Sequence, residues 1–148
     1  MPMLSQRLHE AVALKLEVHK GDDHVSINLI DKDKGEVGFL ILSDVSSGHR
    51  LNIYCDYSVE VLADKVFGSK EVPVYYVSDV ELQDEYRGLG WGKKMYEAAF
   101  KAVRPAIVVT GSCVSMGTSG EAARVWKSLV KKYPSAGESV RDMAVAVR

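Results

Sequence analysis

Three glycines at alternate positions, Gly88, Gly90 and Gly92, separate a strand-like run from a helix-like one, and no other stretch limits the fold as tightly. Ahead of them runs Val74-Tyr75-Tyr76-Val77-Ser78-Asp79-Val80-Glu81-Leu82, whose β-branched and aromatic residues predict a strand. Behind them Met95, Tyr96, Ala99, Phe100 and Val103 recur at helical spacing, with Lys93, Lys94, Glu97 and Lys101 on the other face. A helix start leaves backbone N–H groups without intrahelical partners, and the helix dipole adds partial positive charge there. Glycines remove the Cβ atoms that would hold a ligand off that backbone, and Arg87 adds a full charge. The turn therefore reads as a pocket for a phosphate or pyrophosphate. A tight connection without a ligand is the plain alternative.

Two familiar glycine motifs fail here. The dinucleotide fingerprint needs a glycine where Lys93 stands, and the Walker motif needs other spacing and a Lys-Ser/Thr pair. A different pattern, Arg/Gln-x-x-Gly-x-Gly/Ala, is met by Arg87, Gly90 and Gly92. With the strand ending Val80-Glu81-Leu82 and the lead-in Asp84-Glu85-Tyr86, the segment resembles the GNAT superfamily of acyl-CoA N-acyltransferases. The likeness is specific over residues 74–104 and looser towards residue 133. It implies that Arg87, Gly88, Leu89, Gly90, Trp91, Gly92 and Lys93 hold the pyrophosphate of coenzyme A. It also implies that the preceding strand splays from its neighbour, so that backbone groups of Val80, Glu81 and Leu82 pair with the pantetheine arm. Ser119 stands where the family often has an Asn touching that arm, although a plain helix N-cap explains it equally. Trp126 stands where the family often has a Tyr that protonates the leaving thiolate. An indole N–H is no acid at neutral pH, so Trp126 is expected to pack against the cofactor or the core. Tyr133 substitutes only if the helix is placed differently.

The implied reaction is direct attack of a primary amine, on a small molecule or a protein, on the thioester of acetyl-CoA or another acyl-CoA. Orientation and removal of the amine's proton are then the enzyme's tasks. Glu81 and Asp79 on the central strand are the candidate bases, and with Asp84 and Glu85 they form an acidic patch suited to a cationic amine. Asp84 and Glu85 by themselves read as solvated turn residues. The alternative from another class is a catalytically degenerate protein of the same fold that binds coenzyme A or acts through protein contacts.

The remaining composition narrows the setting. A chain of 148 residues with 47% hydrophobic and 26% charged residues suits a single domain over residues 1–148. A net charge of -1 without a long basic run disfavours nucleic acid as partner. No apolar run approaches a bilayer span, and the first ten residues lack a signal-peptide core, so no membrane partner and a cytoplasmic location are expected. Cys55 and Cys113 lie far apart without metal-like spacing, and are expected as free thiols in a reducing compartment. No metal is expected; His19 and His24 around Asp22 and Asp23 read as a polar hairpin turn.

Taken in order, residues 1–9 suggest a short helical start, and alternation from Ala11 through Val18 a half-buried strand. Val25 to Ile30 and Val37 to Leu42, joined by Asp31-Lys32-Asp33-Lys34-Gly35, form an antiparallel hairpin. Leu51 to Tyr54 suggests a short strand. Val59, Leu62, Ala63, Val66 and Phe67 suggest a helix with Ser58 as N-cap and Gly68 as its stop. After the central strand and helix come a buried strand from Ala106 to Thr110, a small-residue loop to Ser119, and a helix ended by Pro134. One final strand fits around Met143, Val145 and Val147. The sum is an α/β (α+β) fold: a mostly antiparallel mixed sheet, a splayed central strand pair, and helices on both faces. Two departures from the family stand out, an early helix placed after the third strand and a single strand after the last helix. Either the acceptor side is remodelled, or a neighbouring subunit completes the sheet in a homodimer.

Overall fold

A computed structural model of the chain describes residues 14–45, 51–114, 120–139 and 142–148. Among these residues seven strands form one sheet in the order β1-β2-β3-β4-β5-β7-β6. They are β1 (Leu14–Lys20), β2 (His24–Asp31), β3 (Gly35–Asp44), β4 (Val74–Leu82), β5 (Ala106–Val109), β6 (Ser135–Ser139) and β7 (Asp142–Val147). Neighbours are antiparallel except β4 and β5. Among the described residues three helices cover it, α1 (Ile53–Phe67), α2 (Trp91–Val103) and α3 (Gly120–Leu129).

β5 shows how the layers divide. Ala106 and Val108 enter one core with Phe100 of α2 and Trp126 of α3, while Ile107 and Val109 enter a second with Leu62 and Cys55 of α1. All four strand residues are therefore buried, which is why this segment reads as an unbroken apolar run. Helices α2 and α3 cover one face of the sheet and α1 the other.

β4 carries the feature that opens the fold. Its Val74, Tyr75 and Tyr76 pair in parallel with Ile107, Val108 and Val109, and the pairing with β5 stops there. Pairing with β3 continues to Leu82, but with a bulge: Leu42 faces Val77, Ile41 faces Asp79, and Ser78 is the extra residue. The Ser78 hydroxyl is held by the Ser43 hydroxyl at 2.8 Å and donates to the Ile41 carbonyl at 3.2 Å. A bulge bends its strand and adds twist, and this one lies where β4 leaves β5. It also exchanges the faces, since side-chain direction has a period of two. Tyr75 and Val77 before it, and Val80 and Leu82 after it, pack into the α2 core. Asp79 and Glu81 are thereby turned to the α1 face, where both are exposed.

Several expectations are corrected. Two strands follow α3, not one: β6 pairs antiparallel with β7, so no neighbouring subunit is needed to complete the sheet. β6 was hidden because Ser135-Ala136-Gly137-Glu138-Ser139 has no alternating apolar pattern and contains Gly137 at φ 143°. Leu51 to Tyr54 is no strand, because α1 starts at Ile53, and its N-cap is Asn52, whose side chain accepts from the Cys55 N–H at 2.9 Å. Ser58 lies inside the helix, its hydroxyl bonded to the Tyr54 carbonyl. Gly68 does end the helix, in the left-handed conformation at φ 66°. The earlier helix start carries Cys55 to the turn Gly111–Val114 after β5, where it forms a disulfide with Cys113. The two cysteines are not free thiols, and the cytoplasmic expectation loses that support. No helix among the described residues is long and apolar enough to cross a membrane. The expected helical start over residues 1–9, the strand's first residues 11–13 and the loop end from residue 115 to Ser119 lie outside the described residues.

Candidate functional site

Beyond Leu82 the chain turns through Asp84–Tyr86 into the glycines. Two contacts clamp that turn to the β2–β3 hairpin. The buried Tyr86 donates its hydroxyl to Asp31 Oδ2 at 2.7 Å, and Lys34 Nζ lies 2.6 Å from Glu85 Oε2. The Tyr86 hydroxyl, followed by the Asp33 backbone N–H, holds the Asp31 carboxyl below the usual carboxylate range.

Gly88 and Gly90 then take positive φ, 76° and 86°, a left-handed backbone that side chains disfavour. Gly90 is the N-cap of α2 without a side-chain cap, no acidic residue occupies the first turn, and the first intrahelical bond runs from the Lys94 N–H to the Gly90 carbonyl. The N–H groups at the helix start thus keep the anion-binding character expected of them.

This start faces the free edge of β4 across a groove of about 610 Å³. The divergence of β4 from β5 and the spacing of α2 from α3 create it. Of the residues expected at the site, Val80, Glu81, Leu82, Arg87, Gly88, Gly90, Gly92 and Lys93 line the groove. Leu89 and Trp91 do not; Leu89 is exposed, and Lys94 Nζ lies 4.4 Å over the Trp91 ring. Asp79 lies one residue outside, its carboxyl on the same face of β4 as that of Glu81. Ser119 lies outside the described residues.

Three residues are fixed by their own contacts: Trp126 and Tyr133 in the core, as the packing reading of Trp126 allowed, and Arg87 at the turn. Trp126 is 1% exposed and packs against Tyr96 and Phe100 in the core, away from the groove wall. Tyr133 follows the end of α3 and stacks edge-on against Phe100 at 5.4 Å, so it does not take Trp126's place at the groove. Arg87 is no free cation. Its Nη1 lies 3.0 Å from Asp84 Oδ1 and 2.8 Å from Glu121 Oε1, and its Nε donates to the Leu82 carbonyl at 2.9 Å. Arg87 thus straps the turn to the first turn of α3. The pairs are solvent-exposed, so they set position more than they stabilise.

Sequence reasoning missed the other wall. Glu121, Ala122, Arg124, Val125 and Ser128 of α3 line the groove, and Arg124 adds a cation opposite Lys93. The exposed positions of an amphipathic helix are visible in sequence, but which of them borders a groove is set by the tertiary placement of α3. Near the far end of β5, Cys55, Cys113 and Asp142 bring potential ligand atoms within 4.8 Å of one another. The sulfurs are bonded to each other and are not available as thiolates.

No protein-family profile and no curated protein sequence matches the chain. Solved structures are similar to it. One is NAA60 of Arabidopsis thaliana in complex with acetyl-CoA, at TM-score 0.51 and 15% identity, covering 99% of this chain and 91% of that one. Another is a mutant of the toxin AtaT bound to the C-terminus of the antitoxin AtaR and acetyl-CoA, at TM-score 0.54 and 12% identity, covering 91% and 94%. A third is a mutant of KacT, at TM-score 0.53 and 12% identity, covering 96% and 76%. At such identities the likeness shows the fold alone, and that fold is GNAT-like, as the sequence resemblance implies.

Proposed function

We propose that the protein transfers an acetyl or other acyl group from acyl-CoA to a primary amine. The observation that carries this reading is the single groove joining an uncapped helix start to the unpaired edge of β4. A ligand with a diphosphate at one end and an amide-bearing arm at the other matches both. Backbone N–H groups of residues 88–93, with Lys93 and Arg124, receive the diphosphate, and the backbone of residues 80–82, apart from the Leu82 carbonyl that Arg87 holds, pairs with the arm as an added strand would. Two of the structurally similar proteins were solved with acetyl-CoA, which supports that choice of ligand.

In this reading the thioester lies deep in the splay, and the amine approaches from the α1 face, where Asp79 and Glu81 project. A carboxylate there attracts a cationic amine and takes its proton, directly or through water, as nitrogen attacks the carbonyl carbon. The carbon–sulfur bond breaks and coenzyme A leaves as a thiolate. Trp126 is no acid, and Tyr133, the substitute considered for that role, lies on Phe100 away from the groove, which favours proton uptake by the thiolate from solvent. The same observation keeps a second reading, a non-catalytic coenzyme A-binding module of this fold.

Calorimetry with acetyl-CoA and with free coenzyme A tests the ligand, and we expect both to bind. Absence of heat and of thermal stabilisation with either at millimolar concentration overturns the reading. Thiol release from acetyl-CoA with pooled polyamines, amino acids, aminoglycosides and peptides separates enzyme from module. Binding without turnover across those pools favours the module.

A further inference from the structure

The groove floor holds a polar group that the packing does not require. Tyr96, in the second turn of α2, lines the groove yet is only 1% exposed. Its ring stands edge-on to Phe100 at 6.2 Å and to Trp126 at 6.0 Å, so the aromatic cluster fixes its plane. Among the described residues, its hydroxyl is the one buried side-chain oxygen or nitrogen without a hydrogen-bond partner. Burial pushes the phenol up to about 12; the Trp126 indole N–H opposes this, but is not in hydrogen-bonding geometry with the hydroxyl. The group is therefore a neutral donor at any ordinary pH. An unpartnered buried hydroxyl destabilises a fold, and a phenylalanine would keep the same ring contacts without it.

We propose that the Tyr96 hydroxyl is a ligand-binding group, donating a hydrogen bond to an amide carbonyl of the pantetheine arm. The proposal rests on the acyl-CoA reading above. Its geometric basis is the position along α2: Tyr96 lies four residues beyond Gly92, about 6 Å along the helix axis at the usual rise. That carries it away from the diphosphate end and into the stretch an arm must traverse beside Val80 and Leu82. The hydroxyl is closed off from bulk water, so a bond made there is dry and correspondingly directional. Because the hydroxyl is buried, a carbonyl reaches it only when the atoms covering it part, while the ring is held by Phe100 and Trp126.

The test is Tyr96→Phe, with two readouts that a purely structural tyrosine would not move in these directions. The ligand-free variant should melt at a higher temperature than the parent, because the unpartnered hydroxyl is gone. Its affinity for coenzyme A and for acetyl-CoA should fall roughly two- to tenfold, the range of one net hydrogen bond. Its affinity for adenosine 3′-phosphate 5′-diphosphate, which keeps the nucleotide and diphosphate but lacks the arm, should not change. Unchanged coenzyme A affinity in the variant, or an equal loss for the armless nucleotide, overturns the proposal. A fall in turnover at unchanged coenzyme A affinity also overturns it, placing the hydroxyl at the departing sulfur instead. A parent protein that binds none of the three ligands defeats the acyl-CoA reading itself, and the proposal with it.

Discussion

β4 is two strands in one, and its halves behave differently. Tyr75 and Tyr76 are paired on both edges, with β3 and β5, Val74 is paired with β5, and Tyr76 is buried. From residue 77 the strand keeps β3 and loses β5, and beyond the bulge one face stays apolar while the other carries Asp79 and Glu81. The first half holds the sheet together. The second presents unpaired backbone to a groove on one side and two carboxylates on the other. Ser78, one inserted residue, separates the two regimes. A core strand becomes a binding edge by adding a residue, which shifts its core-facing positions from odd numbers to even ones.

Deleting Ser78 is the most drastic way to break the contrast. Without the extra residue the chain runs Val77-Asp79-Val80-Glu81-Leu82 in regular alternation, so Val80 and Leu82 still face the α2 core and both carboxylates still face away from it. What is lost is the bend and added twist of the bulge where β4 leaves β5. We expect the deletion variant to unfold cooperatively by circular dichroism but to lose coenzyme A binding by calorimetry, because the groove depends on that divergence. Coenzyme A affinity like the parent's would show that the divergence is held by something other than the bulge.

Gly92→Glu sharpens the contrast at the ligand end. Gly92 has helical backbone, and a Cβ there meets only Val125 Cγ2 at 3.8 Å, so the fold should survive. A carboxylate at the helix start faces the diphosphate, and like charges so placed cost several kcal/mol, an affinity loss on the order of several hundredfold for coenzyme A. Gly90 is a poorer choice, because at φ 86° any side chain adds backbone strain to the charge effect. Normal coenzyme A binding by the Gly92→Glu protein would reduce the turn to a connection.

Glu81→Gln probes the opposite face of the same half-strand. If this carboxylate takes the amine's proton, turnover should fall roughly 10²-fold while coenzyme A affinity stays within a few-fold. The rise of rate with pH should flatten. An unaltered pH–rate profile would return Glu81 to the status of a surface carboxylate and make Asp79 the next residue to substitute.

The sequence shows the parts of this arrangement that are local. Gly88, Gly90 and Gly92 reveal the turn because positive φ and close approach both select glycine, and the 3.6-residue recurrence from Met95 reveals α2. What it hides is relational. The Ser78 bulge leaves the strand's composition unchanged, and only the pairing partner makes it visible. β6 carries its pairing in backbone rather than in apolar side chains. The Cys55–Cys113 bond depends on where α1 begins, which in turn depends on Asn52 rather than Ser58. Arg87 reads as a free cation until Asp84 and Glu121 are seen beside it, and Tyr96 reads as one more apolar position until its hydroxyl is found without a partner.

The central claim is that the free half of β4 and the start of α2 hold one ligand between them. Amide hydrogen exchange with and without coenzyme A measures it residue by residue. The account predicts new protection over residues 77–82 and 88–93, with Tyr75 and Tyr76, already paired on both edges, unchanged. Saturating coenzyme A that leaves residues 77–82 exchanging as before, or that protects a different surface, would contradict it.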